Sequence, residues 1–397
     1  MKLPGHPSGD QMPSSARRLL ILSLHSGMGG GEYTVYHMVR CLDRRRWEPL
    51  LMFSSHGDFA RKVEDIGCAT VIVPFPAVML RNLLYPSVFA QAVRSAGQMH
   101  RTLREREIDL VCCSDVLTLL LVAIPALMRR VPVVYSVIFF HEWLRMLLFN
   151  ILAVMAVDRI VAASPLLAED LGNRTMFLCR KIGVAIPGVD TTVFRPRRPG
   201  EENRLRAELG IGGETRIVGM AARFDPVKGH REFVHAAAGL LERRRDVAFV
   251  VIGGTVTSAV VPAHGTYRDD VVAEATEAGL GGKMHFLGER PDVAGLIRDL
   301  DLLVCPSREE GFGLTVLEAL ASAVPVVVTK RSGVLSVAGD FPAVRIVAPG
   351  DVPALADAMD EMLGRTFVAG PDLGALSWDR FARQMEEIFD SAVPGKA

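Results

Sequence analysis

Long apolar runs are missing from this chain of 397 residues. The longest stretches are Val116–Met128, interrupted by Pro125, and Met146–Val157, which contains Asn150. A bilayer-crossing helix needs about 20 apolar residues in a row, so no transmembrane segment is expected. The apolar stretch after Arg17-Arg18 covers only Leu19–Leu24, too short for the core of a signal peptide, and residues 1–16 read as a loose polar tail. The six cysteines, Cys41, Cys68, Cys112, Cys113, Cys179 and Cys305, form no C-x-x-C pair and no zinc spacing. Scattered through apolar contexts, they read as reduced, buried thiols of a cytosolic protein. An excess of charge is missing too: 45 Lys and Arg balance 45 Asp and Glu. With aromatics at 7% and no basic run interleaved with them, no nucleic-acid module and no nucleic-acid partner are expected.

Apolar residues make up 49% of the chain, enough for sizeable cores, and the length predicts two domains. In the first half, Arg17–Leu24, Pro49–Phe53, Thr70–Val73, Leu110–Cys113, Val131–Val137 and Arg159–Ala163 read as strands. Helical patterns lie between them, at Tyr33–Leu42, Phe59–Ile66 and Val88–Arg106. The second half repeats the alternation with strands at Arg216–Ala222, Val247–Gly253, Lys283–Leu287, Leu302–Cys305, Val324–Thr329 and Val344–Val347. Such alternation predicts α/β architecture with doubly wound parallel sheets. The linker falls near Pro196, in the Pro- and Arg-rich run RPRRPGEENR. The expected domains are therefore 17–195 and 196–376, followed by a terminal helix over 377–397.

One stretch carries the strongest chemical signal. Residues 302–329 read strand, loop, glycine turn, helix, strand. The turn Gly311-Phe312-Gly313 lets backbone N–H groups approach an anion, and the helix read over Thr315–Ser322 points its positive end there. Glu310 and Glu318 bracket the turn. Carboxylates repel phosphate but accept well from hydroxyls, so the pattern fits a ligand with hydroxyls on both sides of a phosphate, as in a nucleotide sugar. A second loop, RFDPVKGH, follows the strand at 216–222 and places Arg223 and Lys228 at a strand's carboxyl end. Two cations there can grip a diphosphate, or they are two exposed loop charges. A third glycine turn, with Gly30, Gly31 and Glu32, follows the first strand. Asp299 and Asp301 mimic a metal-binding pair, but they lie at a strand entrance, away from the ligand edge, and no metal is expected.

The segment PSREEGFGLTVLEALASAVPVVVT resembles the signature of family-four retaining glycosyltransferases, group 1, which have the GT-B fold of two Rossmann-like domains facing a cleft. The resemblance implies that Glu310 holds the donor sugar and Glu318 the nucleotide ribose, with Gly311, Phe312, Gly313, Leu314 and Thr315 at the phosphate. It implies that Arg223 and Lys228 bind the donor diphosphate and replace a metal, and that Arg290 and Val293 lie beside the base. It also places Gly30, Gly31 and Glu32 near the donor phosphate and the acceptor. The co-substrate implied is a nucleoside diphosphate sugar, UDP or GDP in type, with no other cofactor. The acceptor is a hydroxyl compound, free or lipid-linked.

The chain departs from the family pattern at two places. Where many members carry a His near the reacting carbon, the matching position is Ile138. His141 either reaches the site from a bent loop, with Glu142 orienting it or acting alone, or starts a helix with no chemical role. An Asn usual between Pro187 and Gly188 is absent. These departures keep open a catalytically silent nucleotide-sugar-binding protein, or an epimerase or phosphorylase on the same fold. Finally, residues 1–180 hold 20 Lys and Arg against 15 Asp and Glu, a net of +5 balanced by −5 in the remainder. Ala77–Arg106 mixes apolar residues with Arg81, Arg94, Arg101 and Arg104. It reads either as a helix packed on its own sheet or as a surface for peripheral contact with the inner face of a membrane.

Overall fold

A computed structural model describes residues 16–23, 27–73, 86–138, 140, 143–175, 178–255, 265–365, 367 and 372–393. The first sheet has seven strands: β1 (Arg17–Ser23), β2 (Trp47–Phe53), β3 (Ala69–Ile72), β4 (Leu110–Cys113), β5 (Val133–Val137), β6 (Arg159–Ala162) and β7 (Ile182–Val184). Their order is β3-β2-β1-β4-β5-β6-β7, and every pairing described is parallel. The helices between them are α1 (Gly30–Cys41), α2 (Asp58–Asp65), α3 (Pro86–Glu105), α4 (Val116–Arg129), α5 (Trp143–Ala156) and α6 (Pro165–Arg174). Parallel crossovers are right-handed. The steps from β3 through β6 all run one way across the sheet, so α3, α4 and α5 share one face, while α1 and α2 cover the other.

The second sheet repeats the plan after α7 (Arg204–Leu209). It comprises β8 (Arg216–Ala221), α8 (His230–Arg243), β9 (Val247–Ile252), α9 (Gly265–Glu277), β10 (Met284–Gly288), α10 (Val293–Arg298), β11 (Leu302–Cys305), α11 (Leu314–Ala321), β12 (Val326–Thr329), α12 (Leu335–Ala338), β13 (Val344–Val347) and α13 (Val352–Leu363). The strand order is β10-β9-β8-β11-β12-β13, which reverses direction between β8 and β11. The chain ends in α14 (Trp378–Ala392).

By its contacts the chain divides into two compact units. One holds the residues up to Ser136, Trp143–Val161, and those from Ala382 onward; the other holds Val137–Glu142 and Ala162–Phe381. Leu20, Leu51, Val111, Val134 and Phe149 fill the core of the first. Val218, Phe233, Phe249, Val304 and Val327 fill that of the second. Each such side chain contributes roughly 1.5–3 kcal/mol by leaving water. The end of α14 belongs to the first core: Phe389 stacks edge-on against Trp47 with ring centres 5.5 Å apart. Beside that contact, the buried Glu386 carboxylate accepts from the Asp43 amide at 2.8 Å and from Arg46 at 2.7 Å.

Several boundaries move from their sequence-based positions for identifiable reasons. β5 and β12 begin at Val133 and Val326 rather than Val131 and Val324, because Pro132 and Pro325 have no N–H to give a ladder. Their carbonyls still accept, from Val111 at 3.0 Å and Leu303 at 2.9 Å. Pro125 does not end α4, which runs on to Arg129 with Pro125 buried. α1 starts at Gly30, so Gly30, Gly31 and Glu32, expected in a turn, lie in the first turn of the helix. The Asp299 and Asp301 carboxylates bind backbone: Asp299 accepts from the Leu205 amide at 3.0 Å, and Asp301 from the Ile217 amide at 2.8 Å. Among the described residues no cluster of three or more His, Cys, Asp or Glu is arranged to hold a metal. None of the six cysteines is in a disulfide; Cys68, Cys112, Cys113 and Cys305 are buried, while Cys179 is exposed.

Candidate functional site

In open parallel sheets a ligand crevice forms where the strand order reverses, outside the carboxyl ends of the two flanking strands. In the second unit those strands are β8 and β11. The segment after β8 carries Arg223, turns at Asp225, whose carboxylate caps the Val227 amide at 3.0 Å, and brings Lys228 inward. The segment after β11 carries Ser307 to Glu310, and the Arg308 amide ties it to the Val227 carbonyl at 2.8 Å.

The two segments meet in one ion pair. Lys228 Nζ donates to Glu310 Oε2 at 2.7 Å, and Ser307 Oγ donates to the same oxygen at 3.1 Å. The lysine and glutamate side chains are only 20% and 17% exposed. Burial works against the Lys228 charge, but the adjacent Glu310 carboxylate outweighs it and holds the lysine above its ordinary pKa. Glu310 is fixed by backbone as well: its amide donates to the Arg331 carbonyl at 2.9 Å, and its carbonyl accepts from the Gly333 amide at 3.0 Å. The neighbouring Glu309 turns instead to Arg331, at 2.6 Å.

Beyond Glu310 the chain reverses through Gly311, Phe312 and Gly313 into α11. Gly313 has φ of 102°, a left-handed conformation that a side chain resists, and it forms the N-cap without a side-chain cap. The first-turn amides of α11, from Leu314 and Thr315, therefore have no side-chain oxygen at the cap to receive them. A turn further on lies Glu318. Part of its side chain stays accessible, yet burial of the carboxyl pushes its pKa from 4.5 up to about 7. Among the described residues no group is paired with that carboxyl.

Arg223 lies at the same strand end, half-exposed, with its guanidinium 3.2 Å from Asp225. Arg290, after β10, is already occupied: it pairs with Asp292 at 2.8 and 2.9 Å and with Glu208 at 2.7 and 3.1 Å, contacts that raise its pKa. Val293 opens α10. In the first unit, Gly30 and Gly31 form the first turn of α1, and the Glu32 carboxylate accepts from the Gly29 amide at 3.1 Å as part of the helix cap. Ile138 follows β5, whereas His141 and Glu142 lie outside the described residues. Sequence reasoning missed Ser307. Its only signal is a position three residues before Glu310, which is weak for a serine in a loop.

Two Rossmann-like parallel sheets, of seven and six strands, define the GT-B class of glycosyltransferase fold. Two family models match the chain: "Glycosyl transferases group 1" over residues 201–366 and "Glycosyltransferase Family 4" over residues 28–193. The chain belongs to this family-four, group 1 class of glycosyltransferases. Among its curated relatives, a D-inositol 3-phosphate glycosyltransferase of Corynebacterium efficiens is 34% identical over 187 residues, 46% of this chain and 41% of that protein. The lipopolysaccharide core biosynthesis mannosyltransferase LpsB of Rhizobium meliloti is 32% identical over 204 residues, 51% of this chain and 54% of that protein. The chain thus spans about half the length of the curated relatives it matches. Solved structures share the fold over nearly the whole chain. Anabaena HepE, in complex with UDP and glucose, superposes with a TM-score of 0.80 at 20% identity, covering 94% of this chain and 99% of that one. A glycosyltransferase from Rickettsia africae gives 0.78 at 17%, covering 96% and 100%.

Proposed function

We propose that the protein transfers a sugar from a nucleoside diphosphate sugar to an acceptor hydroxyl, with retention of configuration at the sugar carbon, in the synthesis of a polysaccharide, glycolipid or glycoside. The observation that carries this reading is the Lys228–Glu310 pair at the strand-order reversal, with the start of α11 opening beside it. A diphosphate seated there would meet a mostly buried ammonium, the Arg223 guanidinium and the first-turn amides of α11. All three would stabilise the charge that grows on the leaving group as the glycosidic bond breaks. Glu310 keeps its second oxygen for sugar hydroxyls, and the unpaired Glu318 carboxyl is available to ribose hydroxyls. Nothing in this chemistry requires a divalent ion. UDP and GDP are the donor classes we favour, and the fold relative captured with UDP and glucose supports the first of them.

A thermal-shift panel of UDP-, GDP- and ADP-sugars identifies the donor, because a ligand at a hundred times its Kd stabilises by about 2.7 kcal/mol. Donor hydrolysis and transfer are then measured for wild type and Glu310→Ala. The variant is expected to turn over on the order of a hundredfold more slowly or worse, because the sugar loses its anchor. Wild-type turnover by a folded Glu310→Ala protein overturns the reading.

A further inference from the structure

Helices α4 and α5 are apolar nearly all round. Between them they carry only two charged residues, Arg129 and Arg145, and no acid. A helix of that composition is normally buried on all sides. Here one face of each is buried, at Leu119, Val122 and Ala126 of α4 and at Phe149 and Ala153 of α5, with the Phe149 ring centre 4.7 Å from that of Tyr135 on β5, while the opposite face is open. On α4 the open residues are Ile124, Leu127 and Met128, exposed by 66, 47 and 69%. On α5 they are Leu147, Ile151, Val154 and Met155, exposed by 54 to 63%. Both sets follow helical spacing, so each makes a stripe. The two helices lie side by side on the same face of the sheet and pack against each other, which makes the stripes neighbours. Contiguous exposed apolar surface of this kind marks a contact site.

The surroundings of the patch select its occupant. On one flank α3 packs against α4 and presents exposed Arg94, Arg101 and Arg104. Arg129 and Arg130 are exposed at the end of α4. The exposed acids nearby, Glu105, Glu107 and Asp158, lie at helix ends, and Glu107 is paired with Arg18. A second copy docked by two-fold symmetry would set arginine rim against arginine rim. An anionic lipid surface offers apolar depth to the stripes and phosphate to the arginines. Each helix has 14 residues and so cannot cross a bilayer. The contact is therefore one of lying on the surface.

We infer that the outer face of α4 and α5, rimmed by the arginines of α3 and α4, seats the protein on an anionic bilayer. The inference does not depend on the transferase reading, although a membrane seat would bring a lipid-linked acceptor within reach. It also shifts the membrane alternative among the two readings of Ala77–Arg106. Of that segment, residues 77–85 lie outside the described residues, and the described part of α3 supplies the charged rim while α4 and α5 supply the apolar face.

The test is co-sedimentation of the full chain with vesicles of phosphatidylglycerol and phosphatidylcholine, and with phosphatidylcholine alone. Wild type is expected to bind the anionic vesicles, and to lose most of that binding at high salt. Ile151→Asp combined with Met155→Asp, both at exposed positions, should lower the bound fraction at least tenfold while leaving the melting temperature and donor hydrolysis unchanged. Arg101→Glu with Arg104→Glu should weaken binding to anionic vesicles alone. Absence of wild-type binding, or equal binding by the Asp variant, overturns the inference. So does a dimer in light scattering that the Asp variant dissolves, because the face then belongs to a second copy. Loss of donor hydrolysis in wild type, with vesicle binding intact, would sink the proposed function and leave the membrane seat standing.

Discussion

Glu318 offers a test of the proposed donor site that needs no acceptor. Its carboxyl is pushed from 4.5 up to about 7 by burial. A carboxylate accepts ribose hydroxyls; a protonated acid competes with them as a donor. Donor binding should therefore select the ionised form, release a proton at neutral pH, and weaken as pH falls. With a pKa near 7, about nine-tenths of Glu318 is ionised at pH 8 and about one-tenth at pH 6, so the apparent Kd for the donor sugar should be roughly tenfold weaker at pH 6. Calorimetry in buffers of differing ionisation enthalpy reads both the Kd and the proton count. A nucleotide sugar is the right ligand, because its phosphodiester groups do not titrate in this window, whereas the terminal phosphate of a free nucleotide does. Glu318→Gln should bind more weakly at pH 8, by the one to two powers of ten that losing a charged hydrogen bond costs, about 1.5–3 kcal/mol, and its Kd should be flat with pH. A flat wild-type profile from pH 6 to 8, or an unchanged slope in Glu318→Gln, refutes the assignment. Stability supplies an independent reading. The folded pKa lies above the unfolded value, so the folded state holds the extra proton between about 4.5 and 7 and loses stability as pH rises through that window, by at most about 3 kcal/mol. Glu318→Gln should remove that slope from chemical denaturation curves.

Two further substitutions test how the site is supported. A Cβ on Gly333 would lie 2.2 Å from the Gly311 carbonyl oxygen, so Gly333→Ala must push the turn out of place. It is expected to cost about 3 kcal/mol or more in urea unfolding and to weaken donor binding, and a near-neutral result would show that the turn yields easily. Glu386→Ala leaves the Asp43 amide and Arg46 without their buried acceptor. It should lower stability by about 1–3 kcal/mol, seen as a reduced denaturation midpoint with donor affinity unchanged.

The parts of this protein legible in sequence were those where composition and spacing agree. β11 and β12 are short and Val-rich, the glycine turn sits between them, and Glu310 and Glu318 stand at a spacing that a loop and one helix can satisfy. Glu309 and Glu310 are chemically alike, and only the fold sends the first to Arg331 and the second to Lys228 and Ser307. Other features gave no local signal. β7 has three residues, and α7 six, too few for a period to register. The pairing of Arg290 with Glu208 spans 82 residues of sequence, so an arginine that reads as available is in fact occupied. The open faces of α4 and α5 are the plainest failure of pattern: a helix apolar on every side predicts burial on every side, and periodicity cannot say that the fold leaves one side uncovered.

The Lys228–Glu310 pair joins these arguments. A mostly buried ammonium needs a counter-charge when no diphosphate is present, and Glu310 supplies it across the two strand ends. In the proposed donor complex an arriving diphosphate would compete for the same ammonium and release Glu310 Oε2, adding it to the second oxygen already open to sugar hydroxyls. On that proposal, binding the phosphates and completing the sugar anchor would be one event. This account predicts strong coupling in a double-mutant cycle. Lys228→Met alone strands a carboxylate and Glu310→Gln alone strands an ammonium, each at a cost of about 3 kcal/mol. The double variant strands neither, so it should unfold at higher urea than either single variant while binding donor worst of all. If the two stability losses simply add, the pair is not a mutual counter-charge, and donor binding is not what releases Glu310.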